Sequence, residues 1–142
     1  MMAIFASMSL CLTSCGDDDD EPDTTTNGSS NSFLVGKWEI YSVTTIYSTT
    51  IPEMSDYNSE DTEYGDGAYW EFTPAKLTVH DSTDLANGKP INYTYNESTK
   101  TLSISGFNIY KVTKLTSSEM TLSASSTAGQ FSTTTIIEFN RM

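Results

Sequence analysis

The fold of this chain is indicated most clearly by the stretch FSTTTIIEF at residues 131–139. Apolar and threonine side chains recur there at every second position, which is the period of a β-strand whose side chains alternate between two faces. These side chains are Phe131, Thr133, Thr135, Ile137 and Phe139. The stretch therefore predicts one long strand with a single apolar face.

Seven earlier runs show the same alternation and are separated by turn residues such as Asn87-Gly88. They are residues 34–45, 68–73, 76–80, 91–95, 102–104, 110–112 and 120–122. We expect an all-β domain over residues 33–142, folded either as a two-sheet sandwich or as a barrel. Closure removes sheet edges, so short Ser- and Thr-rich strands favour a small antiparallel up-and-down eight-stranded barrel.

The N-terminal region predicts an export signal followed by a lipid anchor. Residues 1–14 are mainly apolar and carry no charge, and Leu12-Thr13-Ser14-Cys15 resembles a bacterial lipoprotein processing site. No basic residue precedes this segment, so we expect the natural start to lie upstream of Met1. The resemblance implies a signal peptide over residues 1–14 and acylation, palmitate included, of Cys15. The alternative is a free, buried cysteine.

Residues 15–32 then predict a disordered acidic tether that starts at the lipidated cysteine. The segment has no aromatic residue and is rich in Asp, Ser, Thr and Asn, so it cannot bury enough apolar surface to fold. The run Asp17–Asp20 is either solubilising charge or, by resemblance to Bacteroidetes-type lipoproteins, a surface-export signal. The second interpretation predicts a surface-exposed domain on the outer membrane.

Charge is concentrated in two segments. The net charge is −12, from 19 acids and 7 bases; six acids lie in residues 17–23, and six more lie in residues 53–66. The rest of the chain is neutral, which argues against nucleic acid as a partner because phosphate binding requires a basic face. We interpret residues 52–67 as a long acidic loop over one barrel end. Calcium binding by Asp56, Asn58 and Glu60 is the less favoured alternative.

Gly36-Lys37-Trp38 resembles the Gly-x-Trp motif that opens lipocalins (calycins), and the later strand rhythm resembles lipocalin-like domains of Bacteroidetes lipoproteins. The resemblance implies that Gly36, Trp38 and Arg141 are structural, with Arg141 stacked on the Trp38 indole at the closed end. The chain is shorter than standard lipocalins.

Five aromatic residues are candidates for a ligand pocket: Trp70, Phe72, Tyr93, Tyr95 and Tyr110. If their shared faces point inward, they fill the core or line an apolar pocket; if they point outward, they could stack on sugars. The single histidine, His80, precedes Asp81, which a strand would turn to the opposite face. Since no catalytic, cofactor or metal motif occurs, we expect no enzyme activity, no cofactor and no metal.

The sequence thus predicts a cell-envelope lipoprotein held in the membrane through Cys15. We expect its lipocalin-like barrel to be a non-catalytic binding module for a small apolar or amphipathic ligand. The alternative is an interaction lipoprotein with a filled barrel that contacts an envelope partner or glycan. A solidly packed core would favour the alternative.

Overall fold

A computed structural model describes residues 33–81 and 87–142 of the protein. The predicted signal peptide, Cys15 and the tether lie outside these residues. The described part forms nine strands and one short 3-10 helix at Pro52–Tyr57. In chain order the strands are β1 (Gly36–Thr49), β2 (Ser59–Tyr64), β3 (Tyr69–Phe72), β4 (Lys76–His80), β5 (Pro90–Asn96), β6 (Thr101–Ile104), β7 (Ile109–Leu115), β8 (Glu119–Ala128) and β9 (Phe131–Arg141).

The sheet closes on itself, because β9 pairs antiparallel with β1 as well as with β8. On its other side β1 pairs with β3, and each strand from β3 to β8 pairs with the next strand in sequence. The eight strands β1 and β3–β9 therefore form a closed ring. The predicted eight-stranded antiparallel barrel is therefore confirmed, and the sandwich is wrong. No helix in the described ranges is long and apolar enough to cross a membrane.

The core follows the period-two pattern of the sequence. One face of each barrel strand is buried, as in β3, where Trp70 and Phe72 are buried between half-buried neighbours. Residues at the centre of the cluster, such as Leu77, Leu102 and Leu122, have no exposed surface. At roughly 25 cal/mol per Å² of apolar area, each such side chain contributes about 2 kcal/mol to folding.

The prediction that residues 52–67 form a loop is wrong. They form the 3-10 helix and then β2, which pairs with residues 42–47 of β1. Towards its start, β1 pairs with β3 instead, so β2 and β3 occupy the same side of β1 at different heights. Every residue of β2 is exposed, so this strand forms because its backbone completes the edge of β1, not because it buries a face.

Four strands continue beyond the core at one end of the barrel. We call this part the extension; it comprises residues 42–49 of β1, β2, residues 123–128 of β8 and residues 131–136 of β9. Most of its residues are half-buried or exposed, in contrast to the buried alternate residues below. From Val43 to Thr49 it spans about 20 Å, at about 3.3 Å per residue.

Candidate functional site

The five aromatic residues predicted to line a ligand pocket all face into the barrel. Their exposed fractions lie between 1% for Phe72 and 9% for Tyr95. Within the described residues, all except Tyr95 form ring contacts: the Trp70 ring lies 5.1 Å from Phe139 on the opposite wall and 6.1 Å from Tyr110 between centroids. The Phe72 and Tyr93 rings lie 5.2 Å apart, edge to face. These rings occupy the interior of the barrel themselves.

The polar ends of two of these tyrosines lie at the closed end of the barrel. The Tyr93 hydroxyl donates a hydrogen bond of 2.6 Å to the carbonyl oxygen of Thr73. Burial raises the pKa of Tyr93 to about 12. Burial, and the nearby Glu97 carboxylate, also raise the pKa of Tyr95. Both side chains therefore stay neutral at physiological pH, as core residues do.

The closed end is built from the residues of the Gly-x-Trp motif and Arg141. The expected contact is present, since the Arg141 guanidinium carbon lies 4.7 Å from the centre of the Trp38 ring. Arg141 also donates hydrogen bonds of 2.7 Å to the carbonyl oxygens of Phe33 and Val35. The Trp38 indole N–H donates to the carbonyl of Leu34 at 2.8 Å. These bonds fasten the turn at residues 33–35 across the barrel floor.

Gly36 is required where the guanidinium crosses the chain. Its φ is +139°, and a Cβ built on it would lie 2.6 Å from an Arg141 terminal nitrogen. A side chain at this position would be strained by the backbone conformation and would also push the arginine off the indole. The motif glycine is therefore explained by the arginine that lies above it.

At the open end of the barrel, the extension has an inner face that lies beyond the buried core. The inner face of the extension is the continuation of the core face, because Val43 pairs with Ile137 and the next inward residues are Thr45 and Tyr47. Tyr57 of the 3-10 helix covers its tip, with its ring 5.1 Å from Phe131 and 6.2 Å from Tyr47. This face combines threonine, serine and alanine side chains with an aromatic cluster.

Two clefts flank this inner face. One has a volume of about 230 Å³ and lies between the β6–β7 turn and β8–β9. The other, of about 290 Å³, lies beside β2 and is lined by Ile40, Val43, Glu63, Tyr64, Gly65, Asp66, Ala68 and Asp81. Three carboxylates line the second cleft, so it suits a cationic group better than an anionic one.

A pair of exposed aromatic rings lies on the outer surface where the extension meets the rest of β1. Tyr41 occupies a β-bulge in β1, and Tyr64 ends β2. The two rings meet edge to face at 6.1 Å, and their exposed fractions are 54% and 75%. The outward aromatic surface is therefore formed by residues that the sequence analysis did not select.

His80 has a different partner from the one considered in the sequence. It is stacked on Tyr69 at 4.2 Å, and its Nε2 atom lies 3.5 Å from a Glu71 carboxylate oxygen. The stack of His80 on Tyr69 arises from the antiparallel register of β3 and β4, in which these two residues lie opposite each other. No group of three or more potential metal-ligating side chains occurs in residues 33–81 and 87–142. Asn58, one of the calcium candidates, accepts a 2.7 Å bond from the Thr49 backbone N–H through its side-chain oxygen.

The chain was compared with protein-family models, with curated proteins and with solved structures, and none of the three comparisons gave a match.

Proposed function

We propose that this protein is a non-catalytic, lipid-anchored envelope lipoprotein whose filled barrel is a platform for contact with an envelope partner or glycan. The observation that carries the proposal is the packing of four candidate pocket aromatics, Trp70, Phe72, Tyr93 and Tyr110, against one another inside the barrel, with the fifth, Tyr95, buried in the same core. A barrel filled in this way has its free surface elsewhere, and most residues of the extension are half-buried or exposed.

The position of the extension supports the same function. Phe33, to which the tether would attach, lies at the closed end beside Arg141, whereas the extension lies at the opposite end. A lipid on Cys15 would therefore attach the domain through its closed end and leave the extension at the end remote from the attachment point. On the resemblance of its N-terminus to Bacteroidetes-type lipoproteins, this membrane is the outer membrane and the domain faces outward.

The anchor is tested by metabolic labelling with radioactive palmitate. We expect label in the natural protein and none in Cys15→Ala, which should move to the soluble fraction. Membrane retention of an unlabelled Cys15→Ala protein would contradict the anchor.

The contact function is tested by photo-cross-linking in the native cells. A benzophenone amino acid placed at Tyr64 or Thr127, both in the extension, should give discrete cross-linked products. The same group at Glu97, in the turn at the closed end, is the matched control and should give few. Equal cross-linking at both ends would refute a role for the extension.

A second candidate function is the binding of a small amphipathic ligand, and the two clefts at the open end favour it. Their volumes of about 230 and 290 Å³ lie just below the usual range of ligand pockets, about 300–1,000 Å³. Native mass spectrometry of the protein purified from its own cells distinguishes the two functions. A stoichiometric small molecule would support ligand binding, and a bare protein mass would support the contact function.

A further inference from the structure

The strand β2 is an edge of the sheet, and its outer side faces away from β1. Within the described part of the chain, β2 pairs with β1 alone. The Gly65 N–H bonds to the Tyr41 carbonyl on β1, and peptide groups alternate in direction along a strand. The backbone groups of Glu60, Thr62 and Tyr64 therefore point away from β1. They form a row of donors and acceptors that is open to solvent.

Three of the six side chains along this edge are acidic, and none of the three has a basic partner within residues 33–81 and 87–142. Asp61 and Glu63 lie on the inner face of the extension, and Glu60 lies on the outer face. None of these three carboxylates forms an ion pair with a lysine or arginine of the described residues. Acidic side chains on an edge strand oppose uncontrolled pairing, so whatever pairs here must compensate their charge.

The negative charge of β2 argues against two possible binding partners, a second copy of the chain and the chain's own N-terminal segment. A second copy of the chain that paired through β2 would bring its own acids opposite Glu60, Asp61 and Glu63, and like charges directly opposite destabilise a sheet. The protein's own residues 15–32 carry six acids and no base, so they are repelled in the same way. The complementary occupant is a basic segment of another protein.

We propose that the outer edge of β2 binds an extended, basic segment of a partner protein by strand addition. The partner's backbone would pair with Glu60, Thr62 and Tyr64, and lysine or arginine at every second position would face Asp61 and Glu63. The cleft of about 290 Å³ lies directly beside this edge, and its carboxylates Glu63 and Asp66 suit the end of one such basic side chain. This inference rests on the proposed contact function and names the partner's chemistry.

The test uses the full chain and a synthetic peptide of about ten residues in which lysine alternates with threonine. We expect the amide hydrogens of Glu60, Thr62 and Tyr64 to become protected from exchange when the peptide binds. A peptide of the same composition with its lysines in one block should bind at least about tenfold more weakly, because it lacks the strand period. A glutamate–threonine peptide should not bind.

Two substitutions at Thr62 separate strand pairing from plain charge attraction. Thr62→Pro removes an N–H that faces away from β1, so it should leave the fold intact and weaken peptide binding at least about tenfold. Thr62→Ala also loses the 3.1 Å hydroxyl contact with Thr44 but keeps the N–H, so it should bind within about twofold of the natural protein. Equal binding by Thr62→Pro and Thr62→Ala would overturn the proposal.

The charge requirement is tested by the double variant Asp61→Asn, Glu63→Gln, with Glu97→Gln at the closed end as the matched control. The double variant should bind at least about tenfold more weakly and lose most of its salt dependence, whereas the control should be unchanged. Formation of a β2-paired homodimer in analytical ultracentrifugation would assign the edge to a second copy and would also overturn the proposal.

Failure of this inference is distinguishable from failure of the proposed function. If Thr62→Pro leaves the cross-links from Thr127 and Tyr64 unchanged in cells, the extension still contacts a partner, but not through the edge of β2. If no cross-link forms from either position, the contact function itself fails.

Discussion

Replacement of Arg141 by alanine should destabilise the barrel more than any other change of a charged residue. The guanidinium bonds to the carbonyl oxygens of Phe33 and Val35 and lies 4.7 Å from the centre of the Trp38 ring. Alanine removes all three contacts at once. It also leaves the half-buried carbonyl of Val35 without its donor, and such a group is costly to leave unpaired.

The magnitude follows from the exposure of each contact. A hydrogen bond to a charged group contributes about 1.5–3 kcal/mol, and we take the low end for Val35 and about 1 kcal/mol for the exposed Phe33 carbonyl. The cation–π contact adds about 1 kcal/mol. The sum predicts a loss of about 3.5 kcal/mol, or roughly 15 °C in Tm for a domain of this size. Arg141→Lys keeps the charge but not the two-pronged geometry, so it should lose about half as much.

The assay is urea unfolding followed by tryptophan fluorescence, since Trp38 and Trp70 are the two tryptophans and both are buried. Lys114→Ala is the control, because it removes an exposed ion pair with Glu119 and should cost less than about 1 kcal/mol. A free energy of unfolding for Arg141→Ala within about 0.5 kcal/mol of the natural value would refute the reasoning.

Three further outcomes follow from single positions. Gly65→Ala should cost about 2–4 kcal/mol and loosen β2 in hydrogen exchange, because its Cβ would lie 2.0 Å from the Ile40 carbonyl oxygen; a stable variant would contradict this close approach. Leu102→Ala should cost about 3–5 kcal/mol in urea unfolding, as expected for a side chain without exposed surface in a filled core; a loss below about 1 kcal/mol would argue for a loosely packed barrel. Stability should fall as pH rises from 10 to about 12, because unfolded tyrosine ionises near 10 while Tyr93 holds its proton to about 12; Tyr93→Phe should show a flatter profile in this window, and an unchanged profile would contradict it.

The barrel could be predicted from sequence because its strands bury one face each. Alternation at Trp70 and Phe72, at Leu77 and Val79 and along 131–139 marks the inward residues directly. The choice between barrel and sandwich depended on whether β1 pairs with β9. Sequence reasoning favoured that pairing through the general cost of open edges and through the expected contact of Arg141 with Trp38, which lie opposite each other in the β1–β9 pair.

The strand β2 could not be predicted, because its sequence SEDTEY buries neither face. Period-two patterning reports burial, and a strand held only by its backbone pairing leaves no such pattern. The same reason explains why the ends of β1 and β8 were predicted too early, at Thr45 and Leu122. Both continue into the Ser- and Thr-rich extension, to Thr49 and Ala128.

The alternation of side chains along a strand does not show whether the candidate pocket residues point into the barrel or out to solvent. Tyr93 and Tyr95 share a face in any strand, but only the three-dimensional packing shows that this face points inward and is buried. The pairing of His80 with Glu71 was missed for a related reason, since it depends on the register between β3 and β4. The register of two strands is a non-local property that a single strand does not encode.

The closure of β9 onto β1 also determines how this domain must fold. Val35 and Arg141 meet although they are 106 residues apart, so the ring closes only after nearly the whole domain has been made. Until then β1 has an open edge, and the nascent chain depends on slow, non-local pairing. The first and last described residues nevertheless lie side by side. A circular permutant that joins them and begins at the Asn96–Lys100 turn would make the β1–β9 pairing, of eleven residue pairs, a local hairpin. The β5–β6 pairing, of four residue pairs, would become the non-local closure, so we expect the permutant to keep the same barrel while folding faster.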